Sequence, residues 1–174
     1  MIFGTAREDA VHFRICFVCT GNICRSPMAE VIFQQLAKDA GLSHRLAITS
    51  AGTGDWHVGE PADPRTVESL QKAGLDGSRH RAKQFETSWF DDLDLVIVFD
   101  RSQERVLKHW AVTEERQHKV KLLLSFDAEY YQDGDVPDPY YSEPDFFDEV
   151  RNSIERACRN LFHQIKPALR KGIS

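Results

Sequence analysis

Short apolar runs alternate along this chain with longer stretches in which apolar residues recur every third or fourth position. RICFV at 14–18, LAITS at 46–50, LDLVIVF at 93–99 and VKLLL at 120–124 are rich in branched and aromatic residues, the pattern of strands. After the first run, Ser26-Pro27 supplies a cap and a first-turn proline. Ala29, Ile32, Phe33, Leu36 and Ala40 then keep helical spacing until Gly41 ends it. Asp63-Pro64 starts a second helix, with Val67, Leu70 and Ala73 predicted inward and Gly74 past its end. A third helix is predicted near 102–110. A last one begins at 142–144 and carries Phe147, Val150, Ile154, Ala157, Leu161 and Ile165 as its apolar stripe.

Such alternation predicts an α/β fold, a parallel sheet with helices on both faces and a ligand site at the carboxyl ends of the strands. The first of those ends is FVCTGNICRSPMAE, residues 17–30. There is no internal repeat.

The chain has 174 residues, 41% of them hydrophobic, enough for one domain with a real core. Residues 12–174 are read as that domain and 1–11 as a flexible extension. A formal net charge of −5 disfavours nucleic acid as a partner. No segment reads as a membrane span, and the acidic first residues lack a signal-peptide run, so the expected location is the cytoplasm. Four cysteines in a chain of this length do not make a disulfide scaffold, and the thiols are expected to be reduced.

The loop at 19–26 has several readings. Cys16, Cys19 and Cys24 lack the second Cys/His pair that a structural zinc site needs, and Arg25 beside a dication is unfavourable, so no metal is expected. Cys16 and Cys19 fit a C-x-x-C spelling, but Cys16 falls inside the strand, where it reads as a small core residue. Gly52-Thr-Gly54 is not continued into a dinucleotide fingerprint. An anion accounts for more of the residues. Backbone N–H groups between a strand and a helix N-terminus can form a nest for phosphate. Gly21 and Asn22 tolerate the dihedrals such a nest needs, and Arg25 supplies a planar fork. The same field favours a thiolate at Cys19, facing the anion as a nucleophile. Ser26 can bond that sulfur or cap the helix.

On these residues the sequence resembles the low-molecular-weight protein tyrosine phosphatases, whose signature is a cysteine, five residues and Arg-Ser near the N-terminus. The similarity runs from about Phe13 to the last helix. It implies a three-layer α/β/α fold with four parallel strands in the order 2-1-3-4. It implies phosphate binding by Thr20, Gly21, Asn22, Ile23, Cys24, Arg25 and Ser26, catalysis by Cys19, Arg25 and a general acid, and no cofactor. Asp138-Pro139-Tyr140-Tyr141 matches the family's general-acid motif, with Asp135 the nearest rival. Nine acids and no Lys or Arg lie between Leu122 and Val150, so a solvated acidic turn is the alternative.

The resemblance also implies a substrate cleft walled by Trp56, Tyr140 and Tyr141, and support from Ser50, His80 and Asp100. Asp100 could equally cap the next helix. His80 would brace Asn22, and Cys24 would trap an oxidised Cys19 as a disulfide. The implied activity is hydrolysis of protein phosphotyrosine through a phosphocysteine, releasing inorganic phosphate, by a monomer or weak dimer with no membrane partner. Two alternatives share the fold. A thioredoxin-coupled arsenate reductase needs further cysteines between Arg25 and Ala157, and there are none. A protein-arginine phosphatase tends to carry threonine where this chain has Ile23.

Overall fold

The computed structural model describes residues 11–129 and 134–171. The expected extension over 1–11 lies outside them except for Val11, which is exposed. The order is β1 (Phe13–Cys19), α1 (Arg25–Asp39), β2 (Leu46–Gly52), α2 (Pro64–Lys72), β3 (Leu95–Val98), α3 (Arg101–Trp110), α4 (Glu114–His118), β4 (Val120–Leu122) and α5 (Pro144–Leu169), with short 3₁₀ turns between. The strands form one parallel sheet, β2-β1-β3-β4, as expected.

Strand β1 is central and from Ile15 onward is buried on both faces, which is why Ile15–Cys19 reads as an unbroken apolar run. Alternate side chains divide between two cores. Ile15, Phe17 and Cys19 join Met28, Ile32 and Phe33 of α1 and Phe147, Ile154 and Leu161 of α5. Cys16 and Val18 point the other way, to Phe85, Phe90 and Leu107. Phe33 is the keystone of the first core. It is fully buried, with edge-on rings 5.3 Å away at Phe17 and 5.6 Å away at Phe162.

Three expectations need correction. Ser26 does not cap α1: the cap position is Cys24, without a side-chain bond, and Ser26 is already the second helical residue. In α2 the buried face is Thr66, Ser69 and Leu70, while Ala73 is exposed and Val67 half-buried. The reason is a polar seam with α5, where Ser69 Oγ donates to Asp148 at 2.6 Å and Arg151 donates to the Ser69 carbonyl. Strand β4 stops at Leu122, because the Leu122 carbonyl accepts Ser125 Oγ at 2.6 Å and the chain turns into a 3₁₀ segment.

The parallel sheet delivers the loops after β1, β2, β3 and β4 to one edge. Emptying its centre with Phe33→Ala is expected to cost about 3–5 kcal/mol in urea unfolding. A loss below about 1 kcal/mol would show that Phe33 does not join the helices to the sheet.

Candidate active site

The loop after β1 is built around Asn22. Among the described non-glycine residues it alone has a positive φ, 57°, a conformation asparagine tolerates. Its backbone N–H donates to Cys19 Sγ at 3.3 Å. Its side-chain amide is oriented by the Lys83 N–H, which donates to Oδ1 at 2.9 Å. Nδ2 must therefore donate, and it does so to Ser26 Oγ at 2.7 Å and Ser50 Oγ at 3.0 Å. Ser50 passes its own proton to Glu30 Oε2 at 2.6 Å, while Ser26 Oγ lies 2.9 Å from Cys19 Sγ and 3.4 Å from the Ala51 carbonyl. A backbone N–H and a hydroxyl thus both lie against one sulfur.

His80 Nε2 is 2.6 Å from the Asn22 carbonyl. A carbonyl only accepts, so the imidazole donates there and turns Nδ1 toward Glu30 Oε2 at 3.7 Å. Ser50 and His80 thus both contact Asn22, one at its side chain and one at its backbone. Gly21 does not take the left-handed conformation. Its need is space, since a Cβ would lie 3.1 Å from the His57 ring. Gly52 is tighter still: a Cβ there would sit 2.7 Å from the Thr20 carbonyl.

Arg25 is buried, and its Nη1 donates to Asp100 Oδ2 at 2.8 Å and to the Val136 carbonyl at 2.9 Å. Asp100 plays both roles read for it. It pairs with Arg25 and also closes a capping box on α3 with Gln103. Burial pushes the Asp100 carboxyl up, but bonds from Ser102, the Gln103 N–H and Arg25 outweigh it and hold the group below the usual carboxylate range. Asp138 Oδ2 lies 3.8 Å from Arg25 Nη2. Its rival Asp135 is occupied elsewhere, accepting the Arg101 N–H at 2.9 Å.

Cys19, Thr20, Gly21, Ile23, Cys24 and Arg25 line a cavity of about 280 Å³ that Asp138, Trp56, Tyr140 and Tyr141 also border. Over residues 14–171 the chain matches the family model described as "Low molecular weight phosphotyrosine protein phosphatase". The chain belongs to that family. A low molecular weight protein-tyrosine-phosphatase of Streptomyces coelicolor is 50% identical over 88% of this chain and 94% of that one. The solved structure of YfkJ from Bacillus subtilis superposes with a TM-score of 0.84 at 36% identity, covering 91% of this chain and 97% of that one. The arginine phosphatase YwlE, also of Bacillus subtilis, gives 0.78 at 29% identity over 88% and 96% of the chains.

In this member of the family the cavity rim is aromatic. Trp56 and Tyr141 are exposed, and Tyr140 and Tyr141 meet edge-on at 4.9 Å. Gly54 makes room for Trp56, since a Cβ would overlap the indole. Burial pushes Cys16 up to about 12, which leaves no reactive C-x-x-C pair. Burial, with Asp63 and Cys19 nearby, also pushes the Cys24 thiol up.

Several site residues carried no sequence signal. Glu30 and Gln103 are ordinary helix residues in the sequence, yet Glu30 anchors Ser50 and Gln103 Nε2 donates to Thr20 Oγ1 at 3.1 Å. His57 also lines the cavity, and nothing in its local pattern separated it from the other histidines.

Asp100 is the partner that keeps Arg25 neutralised. Asp100→Asn is expected to lower stability by about 3 kcal/mol at about pH 6. The sign follows from the lowered carboxyl: its contribution is present above the unfolded aspartate value of about 3.9 and is lost as pH falls through the folded value. The gap between variant and wild type in urea unfolding should therefore shrink toward about pH 3. A gap independent of pH would contradict the assignment.

Proposed function

We propose that this protein hydrolyses phosphotyrosine in protein substrates through a phosphocysteine intermediate. The observation that carries the reading is that Cys19 Sγ, which accepts the Asn22 N–H and lies beside the Ser26 hydroxyl, and the Asp138 carboxyl border one cavity that Arg25 also lines. Loop amides and the Arg25 guanidinium hold the phosphoryl oxygens and stabilise the charge that spreads over them in the transition state. The uncapped N-terminus of α1 adds to that potential.

In the first step Cys19 Sγ attacks phosphorus, the ester P–O bond breaks, and the Asp138 proton passes to the departing tyrosine oxygen. In the second, water attacks phosphorus, gives its proton to the Asp138 carboxylate, and the S–P bond breaks. Inorganic phosphate leaves and the thiolate is restored. Trp56, Tyr140 and Tyr141 flank the tyrosine ring. Cys24, on the same cavity wall, is the thiol available to capture an oxidised Cys19 as a disulfide.

The similarity to an arginine phosphatase makes phosphoarginine the second substrate to test. The aromatic rim favours an aryl ester. An arsenate-reductase cycle is disfavoured because Cys158 is fully buried in α5.

With EDTA present, the reduced protein is expected to release phosphate from a phosphotyrosine peptide well above matched phosphoserine and phosphoarginine peptides. Cys19→Ser should abolish turnover, and Asp138→Asn should lower it by about 10²–10⁴. Preference for phosphoarginine would replace the substrate assignment, and undiminished turnover by Asp138→Asn would remove the general acid.

A further inference from the structure

The proposed reaction needs Cys19 and Asp138 at a fixed separation, yet Asp138 stands in a stretch, residues 134–139, without regular secondary structure. Its side chain is 50% exposed. Its own contacts restrain it little: a turn bond from the Tyr140 N–H at 3.1 Å and the 3.8 Å approach to Arg25. The position of the carboxyl is therefore set by what holds the flanks.

On the upstream side the anchor is Val136. Its N–H donates to the Phe99 carbonyl at 2.7 Å, and its carbonyl accepts Arg25 Nη1. On the downstream side Arg65 reaches across from α2. Nη2 donates to the Tyr140 carbonyl and Nη1 to the Ser142 carbonyl, each at 2.9 Å. Arg65 is itself fixed. Its Nε and Nη2 grip both oxygens of Asp63 at 3.0 and 2.8 Å, and its guanidinium lies 4.4 Å from the Phe147 ring centre. Asp63 in turn donates its N–H to the carbonyl of Ile23, inside the phosphate loop, at 2.9 Å. A continuous path of hydrogen bonds thus joins the loop that carries Cys19 to the far flank of Asp138.

We propose that Arg65 is the positioning residue of the general acid: it holds the segment after Asp138 at a fixed distance from the phosphate loop. It does not line the cavity and is no catalytic residue. The four bonds diverge in the plane of one guanidinium, a geometry that the three rotating donors of lysine cannot reproduce. In kcat/KM, which reports the steps through departure of the alcohol or phenol, loosening the segment should matter only where the leaving group needs a proton.

The inference rests on the phosphatase reading, and the test separates the two. kcat/KM is measured for wild type, Arg65→Lys and Arg65→Ala on two aryl phosphates. One is phenyl phosphate, whose leaving oxygen must be protonated; the other is a polyfluorinated phenyl phosphate, whose phenolate leaves unaided. Arg65→Lys should lose about tenfold or more on the first and less than about threefold on the second. In an Asp138→Asn background it should cause no further loss on phenyl phosphate. Amide hydrogen exchange should quicken at residues 138–142 and stay unchanged at 19–26. Equal losses on both esters, no loss on either, or full additivity with Asp138→Asn would overturn the proposal. Arg65→Lys keeps the charge and the stem, so it serves where Arg65→Ala fails to fold. If the wild type cleaves neither ester, the phosphatase reading falls. Amide exchange then still decides the clamp: faster exchange confined to 138–142 supports it, and unchanged exchange overturns it.

Discussion

The site depends on the orientation of one amide group. Asn22 Oδ1 accepts a backbone N–H from the segment after α2, and this fixes Nδ2 as the donor to two serines. From that single choice the hydroxyl of Ser26 is free to point at Cys19, and Ser50 is free to point at Glu30. Reversing the amide would set an oxygen against both serines, drawing their protons to it, and would face an NH2 group against the Lys83 N–H. The left-handed backbone of Asn22 serves the same end, since it turns the residue's own N–H onto the sulfur. One residue therefore reaches Cys19 through both its backbone and its side chain, the latter by way of Ser26.

Around that centre the parallel sheet does the assembly. Strands β1, β2 and β3 end side by side, so Cys19, Gly52 and Asp100 come together although they are far apart in the chain. Gly52 pairs with Cys19 in register and lets the loop of β1 pack directly on the loop of β2. Asp100 sits where β3 passes into α3, close enough to receive Arg25. Only Asp138 arrives by a long connection, and it is the member with the weakest local restraint.

The strands and long helices were legible because their periods are set by local sterics and burial: β1 is apolar from Ile15 to its end, and α5 shows its stripe from Phe147 to Leu161. The loop at 19–26 stood out by residue types that an anion accounts for better than a metal or a turn, and the Asp138 motif by family resemblance; the structure brings the two to one cavity. What escaped were partnerships made in three dimensions. The end of β4 turns on a side-chain bond from Ser125, and the buried face of α2 on a seam with α5. Ser26 reads as a cap because serine before proline usually is one, but a nearby amide and sulfur compete successfully for its hydroxyl. Glu30, Gln103 and Arg65 look like solvated helix residues until the fold shows what each one faces.

The bare cap position at the start of α1 has a thermodynamic consequence. Many helices close their first turn with a side chain, whereas this one has none at its cap position; on the proposed reading its first donors are left to an anion in the loop. Occupancy and folding then draw on the same free energy, with a bound anion raising the melting temperature by an amount that grows with the logarithm of its concentration. On the proposed reading, the resistance of this protein to unfolding and proteolysis would report the phosphate and phosphoesters around it, and the enzyme would be least durable where these are scarce.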